Sequence, residues 1–479
     1  MVCLSCSYKK VNSEEGVKMV GYGIGYIGMG TSYNFMSAYF VMYMTNCVGV
    51  SGSLAGTITS IALVIEVFMG MIVGNLSDNC TSKMGRRRPF MLIGALGVPP
   101  IIMLIFNAID ASLPIKIVYY LTLAIVFRLF FSCYEITGNA LGAEIASGYD
   151  NRTRLRTLAR FFGIAGNALG YILPLLILEF YKENDVAAWR TIGFLMGGIT
   201  LIFWTGSVIF TRNRSLILDK SQVVRRKNML GGILRNYFDL LKLKTMRTLI
   251  VYKAGFACAF ALYNVGTLYY LQYSLGLSNT YSSYMYAFQI TVFLLTTPVI
   301  NKMALAMGKA RQQMVFMLLG GVAGVLIFLT MPTKLVGGLI YIGLFSIVQN
   351  GFWQVSSSIF YDVVEVDEYV NYKRREGDIM SLISVLGTII TAIMVQIFGI
   401  GLDMAGFDAE LTVQPDSVVS LLNTMYILVP AICFLAAAAA LKIFPINRHT
   451  FASLQAALKL RSEGKDFSMY MDDIRKVVG

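Results

Sequence analysis

The sequence predicts an all-α membrane protein with twelve transmembrane helices in two six-helix halves. Three observations lead there. Apolar residues make up 56% of the 479-residue chain and charged residues 14%, with a mean hydropathy of +0.64, a balance foreign to soluble domains. Stretches without Asp, Glu, Lys or Arg recur at lengths that cross a bilayer, for which about 20 apolar residues suffice. The longest polar segment, 212–247, divides those stretches six and six.

Taken in order, residues 19–65 carry no charge and make two spans joined by a polar turn near 46–53. Residues 254–301 repeat the pattern around a turn at 277–283. Single-span runs follow at 89–109, 191–211, 312–333, 335–361, 379–402 and 417–441. Glu66 interrupts the second span, Arg128 and Glu135 the fourth, and Arg160 the start of the fifth. Helices are therefore expected near 19–45, 53–76, 90–109, 116–143, 159–180, 189–211, 248–274, 282–303, 313–331, 335–360, 378–401 and 418–443. The chain divides into an N-terminal cytoplasmic segment (1–18), an N-terminal six-helix half (19–211), a central cytoplasmic loop (212–247), a C-terminal six-helix half (248–444) and a cytoplasmic tail (445–479).

Charge sets the orientation. The chain holds 40 Lys and Arg against 27 Asp and Glu. Lys116, Lys182, Arg190 and Lys334 fall in the loops of one side, Arg128, Arg160 and Lys253 inside spans, and the other basic residues on the opposite side. Positive loops are retained in the cytoplasm, so both termini are expected there, in a plasma (inner) membrane. The basic excess then reports topology and contact with anionic headgroups, and calls for no nucleic acid. Charged Lys9, Lys10, Glu14, Glu15 and Lys18 precede any long apolar stretch, the wrong order for a cleaved signal. Seven cysteines, mostly isolated in apolar runs, read as reduced core residues. Cys3 and Cys6 lack the second pair a zinc site needs. A lone His449, no metal-ligand pair on one helix face and no phosphate-cradling glycine loop argue against an enzyme, a resident metal or a cofactor.

The loops after the second and eighth spans resemble each other. One reads Gly74-Asn-Leu-Ser-Asp78, then Gly85-Arg-Arg-Arg-Pro89; the other reads Asn301-Lys302, then Gly308-Lys-Ala-Arg311. Twelve spans, two related halves and a basic central loop describe the major facilitator architecture, in which two halves rock about a midplane site.

Ionisable groups inside a membrane survive where they face a cavity, pair, or carry a substrate or proton. Glu66 lies about 20 Å into its helix at 1.5 Å per residue, near mid-membrane. Arg128, Ser132, Glu135 and Asn139 follow helical steps of three and four and share one face. Glu66 and Glu135 are the expected coupling residues, since a carboxylate shielded from water can take up and release a proton as water or a cation arrives; a structural Glu135–Arg128 pair is the alternative for the latter. Arg160 and Lys253 are near cytoplasmic helix ends, and Lys253 is expected to snorkel to the headgroups. Trp353, edged by Gln349, Asn350 and Gln354, is either a platform for a sugar ring or a packing residue. The many Met, Phe and Tyr residues read as lipid-facing and core filler.

Three blocks together resemble the glycoside–pentoside–hexuronide:cation symporter family: Gly74–Asp78 leading to Met84-Gly-Arg-Arg-Arg-Pro-Phe90; Ala143-Glu144 with Asp150-Asn-Arg-Thr-Arg-Leu155 and Arg160; and Tyr361-Asp-Val-Val-Glu-Val-Asp-Glu-Tyr369 with Lys373-Arg-Arg-Glu-Gly377. Their order and spacing fit nearly the whole chain. The resemblance implies a cation-site role for Glu66, a shared cation and sugar role for Glu135, a sugar-side arginine in Arg160 and a pocket wall in Trp353. It also implies a cytoplasmic gate of Asp362 and Glu365 facing Arg152 and Arg374. The chain departs from the family at three positions: Gly70, Gly30 and Thr388 stand where it has an acidic residue, an aspartate and a lysine.

The expectation is thus a carrier, working as a monomer in the lipid bilayer, that moves a sugar, glycoside or sugar acid with a cation by alternating access. A proton is preferred to sodium because Gly70 removes a carboxylate from a sodium cage. Cation coupling is expected at Glu66, Glu135 and Ser132, and substrate contact at Glu135, Asn139, Arg160, Trp353, Arg128 and Gln349. A flippase for lipids, lysolipids or other organic solutes, and a membrane receptor or scaffold, are the rival readings.

Overall fold

The computed structural model describes the chain except residues 1–12, 146–148, 182–184, 213–235, 373–374, 410, 412, 464 and 479. The helices are α1 (Ser13–Asn46), α2 (Gly52–Asp78), α3 (Arg88–Ile105), α4 (Leu113–Ile145), α5 (Tyr149–Leu178), α6 (Val186–Phe210), α7 (Lys244–Tyr269), α8 (Asn279–Met307), α9 (Lys309–Thr330), α10 (Leu335–Asn371), α11 (Glu376–Ala405), α12 (Asp416–Asn423), α13 (Val429–Lys442), α14 (Arg448–Ser462) and α15 (Met471–Val478). Among the described residues, eleven helical stretches are long and apolar enough to cross a membrane. α1 completes the twelve. Its 34 residues reach about 51 Å, but its Gly, Tyr, Ser, Thr and Asn content lowers its hydropathy. That composition suits a helix wrapped in protein, and Thr31, Ser32, Phe35, Tyr39 and Tyr43 are fully buried.

The helices depart from the expected boundaries in several places, among them α5, which begins at Tyr149, ten residues before the expected 159. α10 continues to Asn371, past the boundary near 360. The acidic block it absorbs carries Val363, Val364 and Val366 on a buried face, so the block is helix and not loop. The last span is two helices, α12 and α13, joined by a π-helical turn at Thr424–Leu428. α7 ends in another at Tyr270–Ser274. Such turns widen the backbone ladder and release carbonyls. The Tyr426 carbonyl accepts the Tyr341 hydroxyl at 2.7 Å, and the Tyr270 and Tyr426 rings stack at 4.4 Å. Between α8 and α9 the chain turns at Gly308 alone, whose φ of 90° suits a residue without Cβ.

The chain separates into two compact units, residues 1–36, 68–177 and 185–224 in the first and 37–67, 178–184 and 225–479 in the second. In the first, α3 packs on α4 and α6; in the second, α9 packs on α10 and α13, while α7 packs on α11 and α13. The third and ninth spans therefore occupy matching places, as the related loops anticipate.

Within the first unit, α1 and α5 approach through glycines. A Cβ on Gly166 would lie 2.3 Å from the Ile27 carbonyl oxygen, and one on Gly30 2.7 Å from Asn167 Oδ1. Small residues let membrane helices pack backbone to backbone, and Asn34 Nδ2 donates to Asn167 Oδ1 across the seam at 2.7 Å. Gly166→Val is therefore expected to pry the two helices apart, at a cost of about 1–3 kcal/mol or more. A lower melting midpoint of the purified protein would register it, and an unchanged one would refute the packing role.

In the second unit the start of α2 is clasped to α11. The Gly52 and Ser53 amides donate to Asp403 at 2.7 and 2.9 Å, a carboxylate at a helix N-terminus. A Cβ on Gly399 would come within 2.2 Å of the Gly52 carbonyl oxygen, so glycine is required where the backbones cross.

Candidate functional site

Glu135 and Asn139, one turn apart on α4, both line a small cavity in the first unit. α1 contributes Tyr22 and Tyr26, also one turn apart, and α6 contributes Ser207. Tyr26 donates its hydroxyl to Asn139 Oδ1 at 2.7 Å, and the Tyr22 and Tyr26 hydroxyls are 2.8 Å apart. The floor is rigid. Tyr134 lies flat on Trp204 with centroids 3.8 Å apart, and Trp204 Nε1 donates to the Gly25 carbonyl at 3.1 Å. Among the described residues the buried Tyr134 hydroxyl and Ser207 Oγ have no hydrogen-bond partner beyond one another. Both converge on Gly25, where a Cβ would lie 2.3 and 2.7 Å from them. Buried hydroxyls with only each other as partners beside a polar cavity call for water or a ligand hydroxyl. The cavity, about 10 Å³, has room for about one water and not for a sugar ring.

The other residues of that α4 face lie apart from the cavity. Ser132 and Arg128 are buried further along the helix, with the Arg128 guanidinium 5.7 Å from the Phe127 centroid. Arg160, on α5, is exposed. Glu66 is half-buried in α2, 14 residues from Gly52 and 12 from Asp78. It falls in the second unit and Glu135 in the first. A Cβ at Gly70 would lie 3.1 Å from Ile136, and one at Gly30 is excluded by α5. The space at Gly30 holds no side chain, which accounts for its departure from the resembling family.

In the second unit Trp353 stands at the centre of α10, 18 residues from either end, and is 47% exposed. Phe256 and Phe260 of α7 meet its ring edge to face at 5.9 and 5.8 Å. Of the amides around it, Gln349 is buried and accepts from Gln289 of α8 at 3.2 Å. Asn350 donates to the Phe293 carbonyl and to Thr296 and Thr297, and Gln354 to Thr297. These amides bind α8 to α10, because in a membrane a buried amide must find its partner within the protein. Lys253 departs from expectation. It does not snorkel: its ammonium stands over the rings of Phe352 and Trp353, 5.1 and 5.7 Å from their centroids.

Asp362 and Glu365, which the resemblance places in a gate, both have partners among the described residues. Asp362 bonds Lys309 through both carboxylate oxygens, at 2.8 and 3.0 Å, and Glu365 accepts from Gln455 of α14 at 3.0 Å. Asp362 thus meets the basic residue at the start of α9, since α10 carries it past the Gly308 turn. The side chain of Arg152, and Arg374 as a whole, lie outside the described residues. The tight pair of this block is Asp367 with Arg375, which bonds both its oxygens at 2.9 and 2.5 Å. Asp367 is fully buried, and its hydrogen bonds hold the Arg375 guanidinium above its ordinary pKa. In the first unit Arg87 pairs with Asp78 and donates to Ser77 Oγ at 2.7 Å.

Sequence reasoning missed Tyr22, Tyr26, Tyr134, Ser207 and Trp204. The i, i+4 spacing of Tyr22 and Tyr26 was a signal in the charge-free first span, hidden among many tyrosines.

The sequence matches the family described as MFS/sugar transport protein over residues 21–448. It is 24% identical to a glucuronide carrier protein homolog of Escherichia coli (strain K12), covering 93% of this chain and 96% of that one. It is 21% identical to an isoprimeverose transporter of Lactiplantibacillus pentosus, covering 89% and 88%. Among solved structures, a D-xylose-proton symporter shares the fold with a TM-score of 0.63 at 14% identity, over 89% of this chain and 97% of that one. The family match spans both units and agrees with the helix order and the three sequence blocks. The chain therefore belongs to the MFS/sugar transport protein family, among the glycoside–pentoside–hexuronide:cation symporters, and is a multi-pass membrane transporter and not an enzyme.

Proposed function

We propose that the protein is a sugar symporter of the plasma (inner) membrane, with both termini cytoplasmic, that takes up a sugar, glycoside or sugar acid with a cation, a proton in preference to sodium. The observation that carries this reading is the convergence of Glu135, Asn139, Tyr22 and Tyr26 on one cavity, which as it stands fits a single hydroxyl-sized group and would admit a sugar ring only on opening during alternating access. A carboxylate, an amide and two phenols are the donors and acceptors that sugar hydroxyls require. Coupling follows from sharing: ion and sugar both draw on Glu135, so occupancy by one changes the affinity for the other, and linkage makes the effect reciprocal. The proton is favoured because Gly70 supplies no second carboxylate one turn past Glu66, whereas a sodium cage collects several oxygens. Relatives named as an isoprimeverose transporter and a glucuronide carrier homolog support the substrate class.

Proteoliposomes test it. With a panel of neutral and acidic sugars inside and out, a pH gradient is expected to drive accumulation of one of them, and a sodium gradient at equal pH is not. Accumulation under sodium alone would overturn the proton assignment. Transbilayer movement of lipids without exchange of any sugar would favour a flippase, and a lack of transport altogether a receptor or scaffold.

A further inference from the structure

Lys253 is a cation in an unusual place. It is the tenth residue of α7, about 14 Å from the helix start, yet its ammonium reaches the level of Trp353, the central residue of α10. Phe352 lies beneath the ammonium at 5.1 Å. Phe256 stacks on Phe352 at 3.5 Å and fixes its plane. The lysine stem runs over α11 at Gly387, where a Cβ would sit 2.6 Å from Lys253 Cε and would displace the end of the side chain.

Among the described residues the ammonium has no carboxylate and no hydrogen-bond acceptor; the aromatic faces are its contacts. Ring faces attract a cation but leave its three N–H donors unsatisfied. A charge held midway along a membrane helix without a counter-charge is costly and marks a substrate or ion path. The open face of Trp353 beside the ammonium must then border water, since hydrocarbon would not tolerate the charge.

We propose that Lys253, held in this aromatic cage, anchors the carboxylate of the transported sugar and so sets a preference for acidic over neutral sugars. The inference rests on the sugar-symport reading and adds the specificity residue. The cage suits that ligand chemically. Trp353 offers its exposed face to the apolar C–H side of a pyranose ring, and the ammonium beside it takes up the charge of a carboxylate at the ring's edge through charge-assisted hydrogen bonds.

The test uses the full-length purified protein and matched pairs of methyl glycosides and methyl glycosiduronates in gluco and galacto configuration, which differ only at C6. Binding is read by competition and by thermal shift. The wild type is expected to bind the acidic member of one pair more tightly. Lys253→Gln is expected to weaken the acidic sugar by roughly 30-fold or more, to leave the neutral sugar within about threefold, and to raise the melting midpoint of the unliganded protein, because it removes an uncompensated charge. Lys253→Arg should retain most of the preference. A Lys253→Gln protein that binds both sugars as the wild type does, or is destabilised without ligand, overturns the proposal. A wild type that binds only neutral sugars overturns it while leaving sugar symport standing, and one that binds none of the four overturns both readings.

Discussion

Replacing Glu135 with glutamine is expected to abolish uphill accumulation while the protein stays in the membrane and exchanges sugar down its gradient. The substitution keeps the shape of the side chain and removes the charge that a proton would cancel, so the carrier loses the group through which ion and sugar communicate. Sugar binding should weaken as well. A hydrogen bond to a charged group is worth about 1.5–3 kcal/mol, which corresponds to roughly ten- to hundred-fold in affinity. Glu66→Gln should also lose accumulation, yet leave counterflow affinity within about threefold, because the cavity formed by Glu135, Asn139, Tyr22 and Tyr26 does not include it. Counterflow and pH-driven uptake measured side by side separate the two. Unchanged proton-driven uptake in either variant would remove that residue from the coupling scheme, and equal losses of affinity in both would remove the division of roles.

The second large effect is expected at the C-terminal end of α10. Asp367→Ala should destabilise the protein by about 3–5 kcal/mol, the usual consequence of removing one partner of a buried ion pair. Asp367 is fully buried and accepts from Arg375 and from Asn371, the latter at 2.8 Å. Its loss leaves a largely buried guanidinium without its hydrogen-bonded counter-ion. Asp362→Ala should cost far less, since its Lys309 partner is 40% exposed and surface pairs contribute about 0–1 kcal/mol. The melting midpoints in detergent should therefore fall in the order wild type, Asp362→Ala, Asp367→Ala. A reversed order would place the structural load of this acidic block on Asp362. The buried pair holds the end of α10 and the start of α11 together.

Much of the fold was legible in the chain because crossing a bilayer is a local constraint. Each span must hide its own backbone polar groups and present about 20 apolar residues, whatever its neighbours do. Charge-free runs therefore located the spans, and loop charges implied an orientation. The exceptions have local causes too. The valine stripe carries α10 through an acidic block that composition alone reads as a loop, and the π-helical turns at Tyr270 and Thr424 accommodate a tyrosine stack that no single segment reveals.

The sequence by itself determined which ionisable groups lie within spans and that Glu135 and Asn139 share a helical face, because a 3.6-residue repeat makes neighbours of residues four apart. Tertiary structure alone decided which groups each side chain meets. It gave Asn139 a tyrosine from α1, tied Gln349 to α8, paired Asp362 with Lys309, and set Lys253 against aromatic rings in place of headgroups. Hydropathy reports what one segment needs from its solvent, whereas pairing depends on distances between helices far apart in the chain, and those are set by how small residues such as Gly30, Gly166 and Gly387 let the backbones and side chains approach.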